Sequence, residues 1–204
     1  SETLLNLVNL GNVTIDDVVL DDGSAEDSIG LTAGGQFIWL NRFTPDPGSF
    51  PFSLSQVQLL MNNTTAVGAD LQLVIFQDAD GDPTNGAEFL YAEDVAVQFN
   101  DFSTWNAYDL ASPVQVTGPG DVLVGVINRD GLPGLADYPA AIDQGPSQYR
   151  SWVGIYSGDP PDPPTLPPGS EFLVIDDAGL PGNWTLRAYG FTGGGDVVWL
   201  STSP

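Results

Sequence analysis

The stretch GQFIWLNRF, residues 35–43, decides the fold class of this chain. Its apolar side chains recur at every second residue, and this period predicts a β-strand. Phe37, Trp39 and Phe43 fall on one face, while two aliphatic residues fall on the other. Because both faces carry large apolar groups, we expect other parts of the protein to cover this strand on both sides.

Strand-like runs extend in both directions from this stretch. Each is bounded by Gly, Pro, Asn or Asp, which favour turns, and no segment carries an apolar stripe of helical period. The runs lie at residues 4–10, 13–20, 54–61, 70–76, 89–99, 104–110, 121–127, 150–157, 171–175, 183–190 and 196–201. The pattern predicts an all-β fold, an antiparallel two-sheet β-sandwich of jelly-roll type with strand-like extensions at both ends.

Three connections are predicted to lack strands. Residues 21–31, DDGSAEDSIGL, read as a polar loop. Residues 129–149 contain three prolines and several glycines, which favour a long loop with little regular structure. Residues 158–170, GDPPDPPTLPPGS, predict a rigid excursion of polyproline type.

The charge of the chain is extreme. Among 204 residues there are 27 acidic side chains and only four basic ones, all Arg, so the net charge is -23. Such a surface repels nucleic acid and anionic lipid, and we exclude both as partners, together with membrane insertion. Two explanations stay open: a soluble extracellular surface, or adaptation to a salty habitat or to Ca²⁺ loading.

Most catalytic devices are missing from the composition. The chain has no His, Cys or Lys, which excludes Ser-His-Asp and Cys-His nucleophiles, Schiff bases and zinc sites built on His or Cys. A pair of carboxylates, as in glycosidases, is the remaining route to catalysis. We therefore expect a protein that is not an enzyme.

The sequence favours an extracellular or cell-surface location. No apolar run approaches the roughly 20 residues that cross a bilayer. The chain begins with Ser1 rather than Met, and no signal peptide is visible. These features are typical of a mature secreted chain.

The run QDADGDPTNGAE, residues 77–88, is the best candidate for a metal site. Hard oxygen ligands at every second residue around a glycine suit Ca²⁺. The alternative is a hairpin loop in which Asp and Gly serve the geometry of the turn. The predicted ligands are Asp78, Asp80, Asp82 and Glu88.

A second acidic cluster lies before the strand predicted at residues 35–43. Its carboxylates offer another possible set of Ca²⁺ ligands. A solvated acidic loop is the alternative interpretation. The cluster consists of Asp21, Asp22, Glu26 and Asp27.

The aromatic residues suggest one ligand-binding hypothesis. Trp152 and Tyr156 share a face of the run RSWVGIYS, between two Pro-rich loops, and are the candidates for a platform that stacks on glycans. Trp39, Trp105 and Trp184 lie inside alternating strands, so we expect them in the core.

Several pieces of the chain, taken in order, resemble a family. They are DDGSAEDSIGL, GQFIWLNRF leading to FSLSQVQLLM, DLQLVIFQDADGDPTNGAEFLY, STWNAYDLASPVQVTGPGDVLVGV and GNWTLRAYG, which together cover about residues 21–190. This region resembles secreted bacterial jelly-roll β-sandwich domains, which are similar to carbohydrate-binding modules and occur in cell-surface and extracellular proteins. The resemblance implies a non-catalytic domain, since such domains serve as sugar binders, adhesive modules and spacers.

The two ends of the chain lie outside this resemblance. We divide the chain into an N-terminal strand extension (1–20), a β-sandwich body (21–190) and a Gly-hinged C-terminal strand (191–204). Each extension either completes its own sheet as an edge strand or completes the sheet of a neighbour. The residues expected to insert into a neighbour are Leu5, Leu7, Leu10, Val197, Val198, Trp199 and Leu200.

These features predict a secreted structural subunit. Its terminal strands, at 1–20 or 196–202, would join neighbouring copies by strand complementation, and a head-to-tail joint of this kind produces filaments or a surface layer. The alternative is a Ca²⁺-assisted carbohydrate-binding or adhesive module of a larger secreted protein.

Overall fold

The computed structural model describes residues 20–192 and 197–199, and β-strands dominate this part of the chain. Three short 3-10 turns lie between strands, at Pro47–Ser49, Pro83–Asn85 and Gly169–Glu171. The strands are β1 (Asp27–Leu31), β2 (Phe37–Phe43), β3 (Phe52–Leu59), β4 (Asp70–Asp78), β5 (Glu88–Ala96), β6 (Asn106–Val116), β7 (Asp121–Asn128), β8 (Asp137–Asp143), β9 (Ser151–Ile155), β10 (Phe172–Val174), β11 (Asn183–Trp184), β12 (Leu186–Thr192) and β13 (Val197–Trp199).

The strands form two facing layers, and the pairs described are antiparallel. One layer is a six-stranded sheet of order β10-β9-β2-β7-β4-β5. The other contains a four-stranded sheet, β13-β12-β3-β6, and a three-stranded sheet, β1-β8-β11. The nearly continuous run β11–β12 joins these smaller sheets, because Trp184 pairs with Ile142 of β8 and Leu186 pairs with Leu59 of β3.

The main hydrophobic core lies between the two layers. Trp39 of β2 and Val124 of β7 pack there against Leu54 of β3 and Ile142 of β8. Burial of each such side chain contributes about 1.5–3 kcal/mol. The all-β antiparallel sandwich predicted from the sequence is thus confirmed, and the jelly-roll connectivity stays a prediction.

A second core covers the opposite face of the six-stranded sheet. Ile38 and Leu40 of β2 belong to it together with Trp152 and Phe172. Partly buried residues close it from outside, among them Leu166 in the Pro-rich segment. The expectation that β2 is covered on both sides is therefore confirmed.

Two of the predicted loops contain strands. The polar segment 21–31 ends in β1, and the segment 129–149 contains β8, whose Ala140, Ala141 and Ile142 are buried. The two strands pair with each other, so each supplies the backbone partner that the other needs. The prediction of loops throughout these segments was wrong, because neither strand shows the regular alternation that a local pattern can detect.

The predicted core tryptophans divide into two groups. Trp39 and Trp184 are buried, as predicted. Trp105 is only half-buried, just before β6, and its ring centroid lies 4.2 Å from the guanidinium carbon of Arg187. Its energetic role is therefore a cation–π contact with β12 rather than burial in the core.

Candidate metal centre

Three carboxylates meet where β1 pairs with β8. Asp22 and Glu26 precede β1, and Asp143 ends β8. One oxygen from each lies within 4.8 Å of the others, and this acidic triad could hold a metal ion. Sequence reasoning found the first two but missed Asp143, which is 121 residues from Asp22 along the chain.

Backbone groups hold the triad in place. Asp143 is buried and accepts hydrogen bonds from the N–H groups of Asp22 at 3.1 Å and Gly145 at 2.6 Å. Glu26 accepts one from the N–H of Gln144 at 2.9 Å. Burial raises the pKa of Asp143, and the negative charges of Asp22 and Glu26 raise it further.

The other two members of the predicted acidic cluster have different roles. Asp21 is buried and forms an ion pair with Arg187 of β12, with Nη2 at 2.5 Å from Oδ1. Asp27 is exposed, and its carboxylate accepts a hydrogen bond from the N–H of Ser28. Two members of the predicted cluster, Asp22 and Glu26, thus belong to the site that could hold a metal. Asp21 instead attaches the start of the sandwich body to β12.

The predicted site at residues 77–88 lies in the connection between β4 and β5. Asp78 is the last residue of β4 and is only 2% exposed, while Asp80 is exposed. Both line a cleft of about 450 Å³ together with Asn85 and Glu88. Three of the four predicted ligands therefore border one cleft, and Asn85 is an oxygen donor that the sequence reasoning left out.

The environments of the two aspartates differ. Burial raises the pKa of Asp78 to about 6, and the nearby carboxylate of Asp80 contributes to the same rise. Hydrogen bonds from the Asn85 side chain and the Asp82 N–H hold the pKa of Asp80 below its usual value. The two carboxyl groups are close enough to interact directly, and their mutual repulsion favours a proton or a cation between them.

Asp82 serves the turn. Its Oδ1 accepts hydrogen bonds from the N–H of Thr84 at 3.1 Å and from Thr84 Oγ1 at 2.5 Å. It thereby caps the 3-10 turn Pro83–Asn85. The metal-site and hairpin-turn interpretations of this loop therefore apply to different residues. Asp82 serves the geometry of the turn, while Asp78 and Asp80 border the cleft.

The two residues proposed for glycan stacking lie under the Pro-rich segment. Trp152 is 8% exposed and stacks on Phe172 with ring centroids 5.0 Å apart. The Tyr156 hydroxyl donates a hydrogen bond to the carbonyl of Thr165 at 3.0 Å. Trp152 therefore contributes to the second core, and little of its ring is left to contact a ligand.

The C-terminal strand pairs within its own chain. Residues Val197–Trp199 lie antiparallel to Tyr189, Gly190 and Phe191 of β12, at the edge of the four-stranded sheet. This is the intrachain edge strand that the sequence left open as an alternative. The remaining predicted assembly residues, Leu5, Leu7, Leu10 and Leu200, lie outside the described residues.

Comparisons with known proteins found no relatives: no family model, curated protein or solved structure matches this chain. The resemblance to secreted jelly-roll domains therefore stays a prediction. Within residues 20–192 and 197–199, no helix has the length and hydrophobicity needed to cross a bilayer.

Proposed function

We propose that this chain is a non-catalytic extracellular structural subunit whose terminal strands join neighbouring copies into filaments or a surface layer. The observation that carries the proposal is the position of β13. This three-residue strand is the outermost strand of its sheet, and four residues, three of them Gly, connect it to β12. A strand held in this way is suited to exchange with the same position on another copy.

The edge of β12 can pair equally well with β13 of its own chain or with a strand from a neighbouring copy. The backbone hydrogen bonds between β12 and β13 depend on register, not on which chain supplies β13. β3 pairs with all seven residues of β12, whereas β13 pairs with three of them. A strand from a neighbour that uses the same register would therefore replace β13 without loss of pairing.

The N-terminal extension joins the sandwich near the same strand. Leu20 is buried in the main core, and the ion pair between Asp21 and Arg187 fixes this point of the chain to β12. The 19 residues before it span at most about 65 Å when extended, enough to reach a neighbouring subunit. Three or four apolar side chains buried in a neighbour would contribute about 5–10 kcal/mol before ordering costs.

The composition suits a structural role outside the cell. The absence of His, Cys and Lys removes most catalytic chemistry. A net charge of -23 keeps subunits and fibres apart in solution, and divalent cations would reduce this repulsion. We propose Ca²⁺ as the cation, because carboxylates are its preferred ligands.

The second candidate function is a carbohydrate-binding or adhesive module, and one cleft favours it. The cleft has a volume of about 670 Å³ and lies between β4, β5 and the Pro-rich segment. Phe89 and Pro163 offer apolar walls there. The polar groups are those of Gln72 and Arg129, which hydrogen-bond to each other, and of three aspartates, Asp70, Asp94 and Asp162. A neutral glycan, which has hydroxyl groups and apolar ring faces, would match this mixture.

Removal of the C-terminal strand distinguishes the two functions. We expect the full chain at about 1 mM to form filaments visible by negative-stain electron microscopy, and the chain lacking residues 193–204 to remain monomeric with an intact β-sheet signal by circular dichroism. Equal assembly of both chains would contradict the role of β13. A full chain that stays monomeric and binds neutral oligosaccharides would favour the second candidate.

A further inference from the structure

One carboxylate oxygen at the end of β4 is buried without a hydrogen-bond partner. Asp78 is 2% exposed, and its Oδ2 makes no hydrogen bond. Its Oδ1 accepts hydrogen bonds from the N–H groups of Gly81 at 3.2 Å and Asp80 at 3.4 Å. A buried carboxylate oxygen with no partner is costly, and such groups in folded proteins are generally paired or bound to a metal.

The neighbouring arginine is engaged elsewhere. Arg42 donates from Nη1 to the carbonyl of Gly81 at 2.8 Å, and its Nε lies 3.4 Å from Oδ2 of Asp121. Asp121 is itself buried and lies directly opposite Asp78 in the pairing of β4 with β7. Among the residues that the structure describes, no ion pair reaches Asp78, so this end of the sheet carries excess negative charge.

Other residues with side-chain oxygens line the same cleft as Asp78. Asp80 accepts hydrogen bonds from the N–H of Asp82 at 3.1 Å and from Asn85 Nδ2 at 2.8 Å, which fix its carboxylate in the loop. Glu88 and Asn85 form part of the same cleft wall. The cleft wall therefore contains carboxylate and amide oxygens as well as Asp78, whose buried Oδ2 has no hydrogen-bond partner.

We propose that this cleft binds a divalent cation, with Asp78 and Asp80 as its carboxylate ligands and with Asn85 and Glu88 in the wall of the same cleft. Ca²⁺ is the best match, because it takes six to eight oxygen ligands in flexible geometry, whereas Mg²⁺ requires a compact octahedron and retains its waters. This site makes specific the calcium binding proposed above and does not depend on strand exchange.

The test is a thermal melt of the full chain in excess EDTA and in CaCl₂. We expect CaCl₂ at about 100 times its Kd to raise the Tm of the wild type by roughly 5–10 °C. Asp78→Asn should lose most of this rise. Because this substitution removes a buried charge, the variant should melt in EDTA at or above the wild-type temperature.

Three further variants locate the effect. Asp80→Asn changes an exposed ligand and should also lose most of the calcium response, independently of any packing change at Asp78. Asp46→Asn, an exposed residue without a side-chain hydrogen bond at its cap position, should keep the full response. Glu26→Gln removes one member of the acidic triad and should keep most of it.

Calorimetric titration with CaCl₂ gives a second readout. The wild type should bind one more Ca²⁺ than Asp78→Asn, and MgCl₂ should bind more weakly. No Ca²⁺ response in the wild type at about 10 mM would overturn the proposal. A Ca²⁺ response that Asp78→Asn keeps and Glu26→Gln loses would also overturn it, because the acidic triad of Asp22, Glu26 and Asp143 would then be the site. Melting and titration report on the cation alone, so they are independent of whether the chain forms filaments.

Discussion

Deletion of residues 193–196 is expected to move most of the protein from monomers into oligomers at about 10 µM. These four residues form the full connection between β12 and β13, a normal length for a β-hairpin. The deletion leaves only Thr192 between Phe191 and Val197, which are partners in the native register. Because hairpins need at least two loop residues, this pair can no longer form within one chain.

The other two pairs between β12 and β13, Tyr189 with Trp199 and Gly190 with Val198, are also disfavoured within the shortened chain. A turn that preserves them would consist of Phe191, Thr192 and Val197. Bulky and β-branched residues resist the positive φ angles that such tight turns require. Pairing with the β12 edge of another copy keeps all three pairs without this turn and is therefore favoured.

The size of the effect follows from effective concentration. A short flexible connection holds β13 at an effective concentration on the order of 1 mM, so at about 10 µM intrachain pairing is favoured by about 100-fold. The deletion removes this competitor. Size-exclusion chromatography with light scattering measures the mass distribution of the two proteins.

The matched control replaces the same four residues by serines, which keeps the length of the connection. This variant should remain monomeric at the same concentration, like the full chain. If the shortened chain also stays monomeric while circular dichroism shows an intact fold, the β12 edge does not accept a strand from a neighbour.

The largest expected loss of stability comes from Asn41→Ala. Asn41 lies on β2, is buried, and donates from Nδ2 to the carbonyls of Trp184 at 3.0 Å and Leu186 at 2.9 Å. Its Oδ1 accepts a hydrogen bond from Ser151 Oγ at 2.7 Å. It therefore connects the six-stranded sheet to the run β11–β12 of the facing layer.

Alanine at position 41 removes all three of these hydrogen bonds, and Ser151 Oγ keeps only the bond that it accepts from the N–H of Trp184. Each unsatisfied group costs about 1–3 kcal/mol, so we expect the free energy of unfolding to fall by about 3–5 kcal/mol. Urea unfolding followed by tryptophan fluorescence measures the change. Asn63→Ala, at an exposed position, should change the stability by less than about 0.5 kcal/mol. A loss below about 1 kcal/mol for Asn41→Ala would mean that water replaces its hydrogen bonds.

The sequence predicts a strand correctly where the buried side chains form an apolar pattern within a short segment. β2 carries large apolar side chains on both faces, so its position under two covering layers could be predicted from residues 35–43. β8 could not be found in this way. Its sequence DYPAAID contains a proline and small residues, and its burial arises from pairing with β1 and β11, which lie far away in the chain.

The candidate sites also differ in whether their residues lie close together in the sequence. Asp78 and Asp80 are two residues apart, so a local motif predicts that they can act together. Asp143 joins Asp22 and Glu26 only through the pairing of β1 with β8, and no local signal links them. The burial of Trp152 was also not predictable, because the Pro-rich segment that covers it folds over the sheet through tertiary contacts.

Strand exchange can be measured directly by disulfide trapping, because the chain has no native cysteine. Phe191 and Val197 are cross-strand partners, and Cα atoms in such pairs lie within the range that a disulfide can bridge. Phe191→Cys and Val197→Cys are made as separate chains, mixed at a total of about 1 mM, refolded together from urea and oxidised.

Each chain then carries only one of the two cysteines, so pairing within a single chain cannot bring the two thiols together. Strand exchange predicts a covalent heterodimer on a non-reducing gel, formed in higher yield than the homodimer from either variant alone. A mixture that stays monomeric, or that gives only the homodimers seen with each variant alone, would contradict strand exchange.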